Sequence, residues 1–165
     1  SSGTIEILKT KPISNNQIII GKFLGAFALV ILAILPTIIY AISIYELGNP
    51  VGNIKIGTTL GSFIGLLFLG GAYTAIGIFA STLSKNQIVA FIIAVFICFF
   101  FYTGFESLAS YNLFGNSDYI IQNIGISEHY NSLGKGVVDT RDIIYFISLT
   151  VFFLFLTKIR IQNEA

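Results

Sequence analysis

The sequence predicts an all-α fold, a polytopic membrane helix bundle, on three observations. Hydrophobic residues make up 55% of the 165 and charged residues only 10%, with a mean hydropathy of +0.85, which lies outside the range of water-soluble domains. The apolar residues gather into four stretches, at 18–45, 58–83, 88–105 and 143–157. Each of the first three covers the ~20 residues that a helix needs to cross the hydrocarbon core, and the fourth is shorter.

The chain opens on a polar segment, GTIEILKTKPISNNQ, that has no apolar run of the kind a secretory signal requires. Gly3 to Lys11 suits a short helix with Ile5 and Leu8 on one face and Glu6, Lys9 and Thr10 more exposed. Pro12 ends it, because proline disfavours helix at the residue before it. A second helix then starts from Ser14, whose hydroxyl is placed to cap the amide of Gln17 while Gln17 reaches back, with Ile13 and Ile18 as a hydrophobic staple. Residues 3–13 form an amphipathic element that suits two settings: the headgroup layer, apolar side down, or a soluble partner whose movement Pro12 and the staple would pass to span one.

Span one contains Pro36, which removes one helical hydrogen bond and bends the helix, either as a hinge or as a kink tolerated in a packed membrane helix. Gly21 and Gly25 in span one, and Gly57, Gly61 and Gly65 at span two, recur at four-residue spacing. Glycines so spaced share a helix face and admit another backbone, which indicates helix packing rather than a substrate surface. Span three holds the one cysteine, Cys98, as a small apolar side chain.

Four crossings place both termini on one side. That side carries six basic residues (Lys9, Lys11, Lys22, Lys85, Lys158, Arg160) against Glu6 and Glu164, whereas the other carries three basic residues against six acidic ones. Basic loops resist translocation, so both termini are expected in the cytoplasm. The long connection 106–142 then lies outside. It mixes apolar and polar residues and is expected to be ordered. His129 beside Glu128 invites a metal or catalytic reading, but one histidine without a second strong ligand nearby does not make a zinc site. Asp139 or Thr140 is placed to cap the final helix, with Asp142 at its positive end.

The spans contain almost no ionisable side chain, which argues against a secondary transporter working alone. No paired carboxylates, histidine cluster or Ser–His pair occurs at a common depth to support an intramembrane enzyme. GKFLG and LGKGVV lack the pattern of a phosphate-binding loop, so the chain is not expected to bind or hydrolyse ATP, and no cofactor or metal is expected. Nothing in the charge pattern calls for nucleic acid.

GTIEILKTKPIS followed by GKFLGAF resembles the cytoplasmic coupling region and following helix of ABC-2 type transporter permeases, with Gly3, Thr4, Glu6, Leu8, Pro12, Ser14, Gly21 and Lys22 at the matching positions. EHYNSLGKGVVDTRDIIYF, Glu128 to Phe146, resembles the segment before the last helix of gliding-motility-associated ABC permeases. Together the two motifs and the spans between them cover nearly the whole of 1–165.

The resemblance implies a permease subunit of an exporter in the bacterial inner membrane, paired with a second permease subunit and driven by a separate cytoplasmic ABC ATPase. Gly3, Thr4, Glu6, Leu8, Lys9, Pro12 and Ser14 would form the coupling surface. It also implies short helical caps at about 106–111 and 127–135 forming an outer gate, with Glu106, Glu128, His129 and Arg141 as its polar residues. Such permeases have six spans with the coupling region after the second; the chain begins at that region with no initiator methionine, so the first two spans are expected to be missing. A structural membrane anchor that positions a cytoplasmic partner without transport is the alternative reading. The substrate, whether lipid, polysaccharide or peptide, is not written in a wall of Ile, Phe, Leu and Gly.

Overall fold

The computed structural model describes residues 14–111, 115 and 118–163. Among them are seven α-helices: α1 (Asn15–Leu47), α2 (Ile56–Leu83), α3 (Gln87–Phe99), α4 (Phe105–Ser110), α5 (Asp118–Ile124), α6 (Ile126–Gly134) and α7 (Thr140–Asn163). A π-helical turn, Phe100–Gly104, carries α3 directly into α4. Four helices are long and apolar enough to cross a membrane: α1, α2, the joined Gln87–Ser110 rod and α7. The described residues thus form a polytopic helical bundle without strands.

Local chemistry sets most helix ends. The Ser14–Gln17 capping box closes the start of α1, with the Gln17 amide donating to Ser14 Oγ at 3.4 Å and the Ser14 amide to Gln17 Oε1 at 3.1 Å. Asn86 caps α3 through the Ile88 amide at 2.9 Å, and Asp139 Oδ1 caps α7 through the Arg141 amide at 2.9 Å. Each removes one of the amides that a helix start leaves without an intrahelical partner. Pro36 sits inside α1, and the neighbouring Thr37 hydroxyl donates to the Ile34 carbonyl at 2.6 Å.

The first turn of α1 lies beside the last half of α7, so these define one end of the bundle, the near end. The opposite, far end holds the α1–α2 connection and helices α4 to α6. The core is built on the α2–α7 contact. Ala72, Ala75 and Ile76 of α2 are fully buried against Phe146, Leu149 and Phe153 of α7. Small side chains on one helix make room for large ones on the other, and dispersion contacts supply the attraction that lipid cannot. Ring pairs extend the seam, Phe68 with Phe146 at 6.3 Å and Phe79 with Phe153 at 5.7 Å. In contrast, α1 and α3 turn Leu24, Leu29, Ile39, Phe91 and Phe96 outward. Their exposed faces are what a helix against lipid or another subunit presents.

Two expectations shift. Residues 105–110 are not a separate cap but the continuation of the third span through the π turn. The final helix runs over 140–163, beyond the apolar stretch 143–157 at both ends, with Asp142 in its first turn and Arg160 in its last.

Candidate functional site

Helices α5 and α6 fold back between the long helices at the far end. Ile126 and Leu133 of α6 are fully buried within the same core as Ala72 and Phe146. Leu133 rests on α2 at Gly61 and Gly65: a Cβ on Gly61 would collide with the Leu133 carbonyl oxygen, and one on Gly65 would stand 3.2 Å from Leu133 Cβ. These glycines are about one to two turns and more into α2, roughly 8–14 Å along its axis at ~1.5 Å per residue. The α6 wedge therefore lies alongside a membrane-crossing helix rather than above it. At its C-terminus Gly136 adopts φ +84°, and a Cβ there would meet the backbone of Gly57 and Thr58 at 2.8 Å. Left-handed φ and close backbone approach both require glycine at that position.

The glycine spacing thus has a partner that sequence periodicity does not name. Gly61 and Gly65 contact the short α6, not another span, and Gly57 is approached at its backbone by Gly136. Gly21 and Gly25 of α1 face no neighbour within 4 Å among the described residues, so they hold no helix contact there.

A polar knot ties α5, α6 and α7 together. His129 Nδ1 lies 2.7 Å from Asp142 Oδ1, and His129 Nε2 lies 2.8 Å from the Asn123 carbonyl. A carbonyl only accepts, so Nε2 carries hydrogen, and one further proton is shared between imidazole and carboxylate. Tyr145, one turn beyond Asp142 on α7, stacks on the His129 ring at 3.9 Å and donates its hydroxyl to the Ile124 carbonyl at 2.5 Å. Asn123 and Ile124 end α5, where carbonyls lack helical donors. His129 and Tyr145 supply them. The side chains of His129 and Asp142 are 14% and 8% exposed. Asp142 Oδ2 is buried and has no hydrogen-bond partner among the described residues.

The other residues expected at an outer gate are spread around this knot. Glu128 is exposed, and its Oε2 accepts from Gln122 Nε2 at 3.2 Å, linking α6 to α5. Glu106 is exposed in the first turn of α4, and Arg141 is exposed in the first turn of α7. Only His129 enters the buried cluster. Asp142 and Tyr145 are the members that sequence reasoning missed. Their signal was present: i and i+3 on one helix face, a carboxylate and a phenol opening an otherwise apolar helix. Of the expected coupling residues, Gly3, Thr4, Glu6, Leu8, Lys9 and Pro12, with the whole 3–13 element and Ile13 of the staple, lie outside the described residues. Ser14 is the N-cap of α1.

At the near end, Asn16, Ile19 and Ile20 of α1 face Val151, Leu154 and Lys158 of α7 across a cleft of 230 Å³. No group of three or more metal-ligating side chains occurs among the described residues.

Four long apolar helices, with α6 packed into their core ahead of the last crossing, define a multi-pass membrane protein. The chain belongs to the family of ABC-2 family transporter proteins, whose model matches residues 1–159. No curated protein and no solved structure matches it. The chain is accordingly the membrane permease component of an ABC transporter, and not the catalytic one.

Proposed function

We propose that the chain is the permease subunit of an ATP-driven exporter in a bacterial inner membrane, acting with a second permease subunit and two cytoplasmic ABC ATPase subunits, in secretion of surface components or gliding motility. The family match over residues 1–159 carries this reading. The near end would face the cytoplasm, in keeping with Lys22, Lys85, Lys158 and Arg160 at that end.

Closure of the ATPases on ATP would push residues 3–13, and the capping box at Ser14 makes α1 a firm rod from its first turn. That rod leans on α7 at the near end, and α7 holds α6 at the far end through Asp142 and Tyr145. A continuous chain of contacts therefore runs from the first turn of α1 through α7 to α6. Exchange between two packings of these helices would open and shut the path.

Glu6→Arg in the full-length protein tests the coupling. Loss of ATPase copurification and of ATP-dependent, vanadate-sensitive substrate movement in reconstituted vesicles is the expected result. Unchanged assembly and coupling would remove the docking role, and stable assembly with no movement in the unsubstituted complex would identify an anchor instead.

A further inference from the structure

The near-end cleft of 230 Å³ between α1 and α7 has a polar mouth and an apolar interior. Its mouth is formed by Asn16, in the first turn of α1, and by Lys158, which directly follows the apolar run 143–157 of α7. Its interior is formed by Ile19 and Ile20 of α1 and by Leu154 and Val151 of α7. Ile20 lies four residues beyond Asn16, and Val151 lies seven before Lys158, both toward the middle of the bundle. At ~1.5 Å per residue these are depths of about 6 and 10 Å. A lipid of the near leaflet would therefore meet the mouth with its head and the interior with its chain, the same way up as the lipids around it.

Charge selects the head. Lys158 is the charged residue of the lining; it is partly buried and makes no ion pair or side-chain hydrogen bond among the described residues. Lys22, Lys85 and Arg160 lie at the same end, whereas every described carboxylate, from Glu46 and Glu106 to Asp142, lies at the far end. The ammonium of Lys158 and the side-chain amide of Asn16 are donors, and a phosphodiester oxygen accepts from both. A zwitterionic head would set a second ammonium beside Lys158, with no carboxylate among the described residues to receive it. A head whose one charge is its phosphodiester leaves nothing over.

We propose that this cleft binds an anionic phospholipid of the near leaflet, such as phosphatidylglycerol. Its phosphodiester lies on Lys158 and Asn16, and one acyl chain lies along Ile19, Ile20, Leu154 and Val151. The bound lipid joins the first turn of α1 to the last turns of α7, where the two helices meet.

The test uses the full-length chain in phosphatidylcholine nanodiscs without nucleotide, so that its failure leaves the transport reading untouched. Two probes carry the same diazirine acyl chain, one on phosphatidylglycerol and one on phosphatidylcholine. The phosphatidylglycerol probe is expected to label residues 16–20 and 151–158 about fivefold more strongly, a difference of ~1 kcal/mol. Lys158→Gln should bring that ratio close to one, whereas Lys85→Gln, which removes an equal charge from the α2–α3 connection, should leave it unchanged. Val151→Trp, which fills the inner part of the cleft, should reduce labelling there by both probes. Equal labelling of the unsubstituted protein by the two probes would overturn the proposal. So would an equal loss of preference in Lys158→Gln and Lys85→Gln, which would mean a diffuse field in place of a site. A photoreactive residue at position 20 that crosslinks to residues 1–13 instead of lipid would overturn it too, since the chain's own first segment would then fill the cleft.

Discussion

Adding one methyl group at Gly61 sets a backbone against a backbone. The new Cβ would collide with the Leu133 carbonyl and stand 3.0 Å from Gly136 Cα. Carbon atoms rest at ~3.5–4.0 Å, so the end of α6 must retreat by about 0.5–1 Å, and neither atom belongs to a side chain that could swing aside. Overpacking of this kind costs about 1–3 kcal/mol. Gly61→Ala is therefore expected to destabilise by that amount despite alanine's advantage over glycine in a helix interior, about 0.5–1 kcal/mol. Gly25→Ala, where the added carbon meets nothing within 4 Å, is expected to be neutral or slightly stabilising. Gly65→Ala should fall between, since its nearest contacts, Leu133 Cβ at 3.2 Å and Tyr130 Cε2 at 3.4 Å, belong to side chains. Denaturant unfolding in mild detergent, with a spectroscopic distance between labels on α2 and α6, measures both the energy and the retreat. If Gly61→Ala were as stable as Gly25→Ala with the distance unchanged, the packing of α6 on α2 would be wrong.

His129→Ala leaves the Asp142 carboxylate buried without its partner and is expected to cost about 3 kcal/mol, as broken buried pairs do; the His129→Ala, Asp142→Ala double variant should lose less than the sum of the singles, and additive losses in the unfolding cycle would show that the two do not interact. Ser14→Ala removes the capping hydroxyl at about 1 kcal/mol. Hydrogen exchange at the first-turn amides of α1 is expected to quicken about fivefold while the middle of α1 is unaffected, and unchanged exchange would mean that the cap does not hold the helix start.

The four long helices were legible because a run of ~20 apolar residues has few alternatives. The start of α1 was legible too, since Ser14 and Gln17 signal through residues three apart. The wedge was not. Leu133 and Gly61 are far apart in the chain, and glycine spacing reports that something approaches closely without reporting what. His129 and Asp142 are separated by 13 residues across a turn, outside any helical period. Asp142 read as a charge at the positive end of the last helix; burial of that carboxylate depends on a histidine brought by another helix. The π turn at 100–104 likewise leaves no mark of its own in FFYTG, which reads as the end of an apolar run. Sequence pattern reports which face of a helix is greasy, and cross-chain polar partners are settled only by tertiary placement.

Helix α6 is fastened to its two large neighbours by unlike means: to α7 by a shared proton and a stacked ring, and to α2 by bare glycine backbone. Should those neighbours part, the two seams would not fail together. A bare-backbone joint can slide without breaking a polar contact whereas the histidine joint cannot, so the glycine seam is expected to yield first.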